Sequence, residues 1–196
     1  PEYPPDIVDM IRTRVKNGPP LYWTVTAGAN GQLNAASLAA NPEFLDDPAN
    51  FIGLPRPIVD DVRQAIAARV QAPPRRGAAV QPQEEIDATV KRKIAQLRSL
   101  GVRIVFGTDV GSWGQVTGHA TWMEADLWVR ELEMEPMTVI RAMTLEAARM
   151  MGVDRDSGSV TEGKRADVIA VRGDPLRHIN LLREPKIVVK HGRRVR

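Results

Sequence analysis

The chain has 196 residues, 43% hydrophobic and 26% charged, enough for one domain with a packed core. It contains no cysteine, which excludes disulfides, thiolate metal sites and cysteine nucleophiles, and its three histidines (His119, His178, His191) are not spaced as a self-contained metal site. The net charge is +3, with arginine clustered at 75–76 and in the closing HGRRVR. No reader motif accompanies it and no apolar run nears the ~20 residues of a membrane span, so neither nucleic acid nor membrane is expected as a partner.

The opening PEYPPD has no basic or apolar leader pattern, and localisation is left unread. Apolar residues at 7, 8, 11 and 15 then predict a helix over 6–16, stopped by Asn17-Gly18-Pro19-Pro20. LYWTVT, 21–26, is short and rich in aromatic and β-branched residues and predicts a strand. Residues 28–50 predict a long loop with a helical turn or two near 34–40; Asn30 and Asn34 there could reach the end of that strand or serve in turns. Ile58, Val62, Ile66 and Val70 predict a helix over 57–70, with Pro57 in its first turn.

The Pro- and Gly-rich stretch 71–83 predicts an exposed loop. Ile86, Val90, Ile94 and Leu97 predict a helix over 84–100, with acids leading, bases following and Gly101 as its C-cap. The apolar run 102–106 predicts a strand covered on both faces. Two further helices are predicted at 120–134 and 137–151, separated by Pro136 and ended by Gly152. Beyond them, 157–175 predicts a strand, a turn at Glu162-Gly163-Lys164 and a strand over 166–171. IVVKHGRRV, 187–195, predicts a hairpin turning at His191-Gly192. The alternation places the chain in the α/β class, with the last strands in a separate small sheet.

Ligands of parallel α/β folds sit at the carboxyl ends of the strands. Gly107-Thr108-Asp109 follows strand 102–106 at that end, with more glycine at 111 and 114. A carboxylate there can ligate a metal, act as a general base, or cap the next turn through its own side chain. His119 stands ten residues on, facing the same pocket or capping the helix that follows, and Trp113 either walls the pocket or packs on that helix. Trp122, Met123 and Trp128 are read as core. Glu124, Asp126, Glu131 and Glu133 are read as a solvated helix face, Asp167 as a turn or cross-strand residue, and His178 and His191 as surface-turn residues.

Five segments taken in order carry a resemblance: GVRIVFGTDVG, His119, ELEMEPMTVIRAMTLEAARMMGV, GSVTEGKRADVIAVRGDPL and VVKHGRRV. Together they resemble the C-terminal part of the amidohydrolase superfamily, in particular its imidazolonepropionase-like and Xaa-Pro-dipeptidase-like metal-dependent hydrolases. The resemblance implies the C-terminal portion of a (β/α)8 TIM barrel over 1–152, with 21–26 and 102–106 as its seventh and eighth strands. Residues 153–196 would be part of a small β-sandwich domain. It implies hydrolysis of amide, cyclic amide or dipeptide C–N bonds by metal-activated water, with one or two divalent ions, usually zinc. Asp109 would be both metal ligand and catalytic base, with His119, Thr108 and Trp113 at the substrate, a small or dipeptide-like molecule.

The family's His-x-His, bridging residue and later histidines are missing here. The expectation is therefore a C-terminal section whose remaining metal ligands come from a missing N-terminal section or a partner chain. Unpaired strand edges and an exposed apolar sheet face would then favour an oligomer. The alternative is a non-catalytic interaction module that kept this remnant of the fold.

Overall fold

The structure is a computed structural model and describes residues 2–27, 43–47, 51, 54–71, 82–109 and 120–196. The predicted loop turn near 34–40, Asn30, Asn34, Trp113 and His119 lie outside the described residues.

Helix α1 (Pro5–Asn17) starts with a proline at its first position, where the missing N–H costs nothing. It turns Ile11 and Val15 toward the core. Strand β1 (Tyr22–Val25) follows, then the short helix α2 (Glu43–Asp46), and helices α3 (Arg56–Gln71) and α4 (Gln83–Ser99). Glu84 and Glu85 in the first turn of α4 and Arg98 in its last complement the helix dipole. The helix ends in a Schellman turn: Gly101 at φ 85° donates to the Arg98 carbonyl and Val102 to the Leu97 carbonyl, both at 3.0 Å. Strand β2 (Arg103–Phe106) begins immediately afterwards.

β1 and β2 pair in parallel, with Tyr22 opposite Arg103 and Val25 opposite Phe106. The ladder is prolonged at both ends, by Arg103 N–H to Leu21 O and Gly107 N–H to Val25 O, each 2.9 Å. Alternation along the strands sends Trp23, Val25, Ile104 and Phe106 into the main apolar cluster, where they meet Ile94, Leu97, Leu127, Trp128, Val139 and Ile179. The other face carries Tyr22, Thr24, Arg103 and Val105. Val105 is buried, as the expectation of a strand covered on both sides requires, yet Thr24 and Arg103 are exposed. The Arg103 guanidinium lies 5.7 Å over the Tyr22 ring and 3.7 Å from Glu146 Oε2. The open face is thus polar, which corrects the expectation of an exposed apolar one. The described strands of this sheet form an open pair and no closed barrel.

Helix α5 (Ala120–Arg130) stops four residues earlier than predicted, in a turn that puts Glu133 at φ 51°. The next predicted helix is two: α6 (Pro136–Met143) and α7 (Leu145–Met150). The break falls at Thr144, whose hydroxyl donates to the Ile140 carbonyl at 2.7 Å in competition with the backbone. Gly152 (φ 70°) ends α7 in a second Schellman turn, with Val153 donating to the Ala148 carbonyl at 2.9 Å.

The first predicted strand of 157–175 is absent, and Lys164 is the reason. Its ammonium donates to Asp154 O at 2.5 Å, Ser157 O at 3.2 Å and Ser159 Oγ at 2.8 Å, curling the segment around one charge. Gly158 presses on α7 so closely that a Cβ there would sit 2.6 Å from Ala148 Cβ. Lys164→Met should strip three acceptors of their donor and cost about 2 kcal/mol, with faster amide exchange confined to 154–165. Unchanged exchange there would show that the lysine does not organise the loop.

β3 (Val168–Ala170) pairs antiparallel with β4 (Ile187–Lys190), and β4 with β5 (Arg193–Arg194). The predicted hairpin is present. His191 (φ 50°) and Gly192 (φ 75°) form a two-residue turn of the mirror-image kind that suits strand twist. Asp167 braces it, accepting His191 N–H at 2.7 Å and Lys190 Nζ at 2.9 Å. These bonds, that of His191 first, hold its carboxyl below the usual carboxylate range. The brace is therefore present above that range and is lost as pH falls through the lowered value. His191 amide protection should fall with it, and protection persisting in Asp167→Ala, which removes the acceptor, would contradict the assignment. A 3₁₀ turn over Ile179–Arg183, which sequence periodicity does not reveal, buries Ile179 against the main cluster.

Candidate active site

The carboxyl ends of β1 and β2 form one rim. Extending the register past the ladder places Thr26 beside Gly107 and Ala27 beside Thr108. Asp109 follows, exposed, in the left-handed region at φ 49°. Aspartate tolerates this better than most residues, but the conformation still costs about 1 kcal/mol and has to be held by its surroundings. The predicted residues Thr108 and Asp109 therefore do sit at the end of a parallel strand.

Gly107 is needed for a close approach. A Cβ on it would lie 2.6 Å from Thr24 Cγ2 and 3.1 Å from Thr26 Oγ1. Gly107→Ala should destabilise the chain by about 1–3 kcal/mol through overpacking, and Thr24→Ala in the same chain should recover most of that loss. Additive losses in the double variant would remove Thr24 as the obstacle.

Glu124 is the rim residue that sequence reading missed. Its residue type predicts a solvated helix face, yet it is 4% exposed, the one buried charged residue among those described. Its Oε1 accepts the Ala27 backbone N–H at 2.6 Å and the Trp128 indole N–H at 2.7 Å. Trp128 is fully buried, and its ring centroid lies 5.1 Å from that of Phe106, the last residue of β2. The signal was available: Ala120, Glu124, Leu127 and Trp128 recur at helical spacing and form one buried stripe. Asp126, by contrast, is paired with Arg130 at 2.7 Å on the outer surface, and Glu131 and Glu133 are exposed, as expected.

Among the described residues no three His, Asp or Glu side chains converge. A tetrahedral zinc site draws three or four protein donors. Asp109 offers one carboxylate, so the described residues do not by themselves fit a metal.

A parallel strand pair joined through helices, with a separate small antiparallel sheet, makes this an α/β protein, and the family match that follows implies a fold of the TIM-barrel type. Residues 77–195 match the sequence profile described as "Amidohydrolase family", and the chain belongs to that family, whose members generally bind divalent metals. It is 36% identical over 89 residues to the ochratoxinase of Aspergillus niger, a match covering 45% of this chain and 18% of that protein. It is 32% identical over 92 residues to the 5-methylthioadenosine/S-adenosylhomocysteine deaminase of Symbiobacterium thermophilum, covering 43% of this chain and 21% of the relative.

Among solved structures it resembles a prolidase complexed with N-methylphosphonate-L-proline. The TM-score is 0.55 at 18% identity, over 96% of this chain and 38% of that one. A Xaa-Pro dipeptidase with methionine in its active site gives a TM-score of 0.50 at 24% identity, over 95% and 42%. The chain thus aligns with about a fifth of each of these curated relatives and about two fifths of each of these solved structures.

Proposed function

We propose that this chain supplies the seventh and eighth strands and the closing helices of a (β/α)8 hydrolase barrel, together with part of its small β-domain. The reaction is hydrolysis of an amide, cyclic amide or dipeptide C–N bond. The observation that carries this is Asp109, a carboxylate held at the carboxyl end of a parallel strand in a chain of this family. Relatives named as a deaminase and, by fold, as a dipeptidase support a C–N bond as the target.

Asp109 acts as the general base. It takes a proton from water as the water oxygen bonds to the carbonyl carbon, and the proton then passes to the departing nitrogen as the C–N bond breaks. Thr108 and, from outside the described residues, His119 and Trp113 line the substrate. The remaining polar groups of the site, including any ligand set for zinc, come from a barrel section other than the described residues.

The test is turnover by the native-length protein on a panel of dipeptides, N-acyl amino acids and cyclic amides in ¹⁸O-labelled water. One labelled oxygen in the product carboxylate is expected. Absence of hydrolysis across the panel, or an unlabelled product, would contradict the assignment.

A further inference from the structure

We infer that Glu124 is a positioning residue for Asp109, an inference that rests on the general-base role given to Asp109 above. One buried oxygen ties together the two strand ends that make the rim. The bond to Ala27 N–H holds the chain leaving β1, two residues past Val25 and level with Thr108. The bond to Trp128 Nε1 fixes an indole packed on Phe106, three residues before Asp109. Both bonds are short, 2.6 Å and 2.7 Å.

Helix α5 is thereby locked to β1 by a hydrogen bond and to β2 by a ring contact, through the same carboxylate. Asp109 occupies a backbone region that it would leave if its neighbours relaxed. Neither bond involves solvent-exposed atoms, and no other buried acid among the described residues could replace them. The role differs from packing alone. An alanine at Leu127, which is equally buried one turn on in the same helix, would loosen the core without touching the rim bonds.

The experiment is backbone NMR on the full chain, with turnover of the native-length protein as a separate arm. In Glu124→Gln, which keeps an oxygen acceptor, the Trp128 indole N–H should shift while the Gly107, Thr108 and Asp109 amides move little. In Glu124→Ala those three amides should shift and exchange faster, and kcat should fall about 100-fold with KM nearly unchanged, the size expected when a reacting group is displaced by about 1 Å. Leu127→Ala should lower thermal stability and leave both the rim amides and kcat in place. Rim amides that respond alike to Glu124→Ala and Leu127→Ala would overturn the inference. Because the NMR arm reads the backbone of Asp109 and not hydrolysis, its outcome is independent of whether Asp109 is the base. Should Glu124→Ala prevent folding, Glu124→Met, which keeps the side-chain volume and removes the acceptor, is read in its place: displaced Gly107–Asp109 amides would support the inference, and amides left in place would overturn it.

Discussion

Replacing Trp128 with alanine is expected to destabilise the chain by about 3–5 kcal/mol, measured by chemical denaturation followed by far-UV circular dichroism. The side chain is fully buried at the centre of the main cluster. Its removal empties the largest volume of any fully buried side chain among the described residues, ends the ring contact with Phe106 and takes one donor from Glu124. A domain of this size has about 5–15 kcal/mol of total stability, so the variant should sit close to its unfolding midpoint. Trp128→Phe separates the two contributions. It keeps an aromatic ring on Phe106 and removes the indole donor, and should cost about 1–3 kcal/mol. A loss below 1 kcal/mol in Trp128→Ala would mean that helix α5 is not fastened to the strands as described.

Much of the architecture is legible in the sequence because local and tertiary demands agree there. The stripe of Ile86, Val90, Ile94 and Leu97 followed by Gly101 marks a helix, its C-cap and the strand that must follow, and α4 and β2 lie within two residues of that reading. His191-Gly192 between β-branched and basic residues specifies its own turn. The departures occur where one side chain overrides the local pattern. Lys164 draws three oxygens around itself and prevents the strand that SGSVT would otherwise favour. Thr144 bonds backward to Ile140 and divides a helix that periodicity makes continuous. Residue type alone assigns Glu124 to solvent, although its spacing from Ala120 and Trp128 assigns it to the core.

The candidate site is legible in the same partial way. Placement of Asp109 just past a strand follows from strand length and the Gly-Thr-Asp break, and it lies three residues beyond Phe106, the last residue of β2. Its left-handed backbone does not follow, because nothing in the order Gly-Thr-Asp distinguishes an aspartate at φ 49° from one capping a turn. Nor does the clamp behind it, which joins residues 27, 124 and 128 across almost one hundred positions of chain. Long-range bonds of this kind depend on how helices settle on strands, which periodicity within a window does not encode.

On the reaction proposed above, in which Asp109 is the general base, the largest functional effect is expected at that residue. Its side chain is exposed and makes no part of the core, so Asp109→Asn should leave thermal stability nearly unchanged. Removing a general base typically costs 10²–10⁴-fold in rate, and a fall of about 1,000-fold in kcat is expected. The most direct test of the proposed reaction is therefore kcat of the native-length protein, wild type against Asp109→Asn, on whichever member of the substrate panel proposed above gives the highest rate. A loss of that order with an unaltered melting temperature is the predicted result; turnover within twofold of wild type would contradict it.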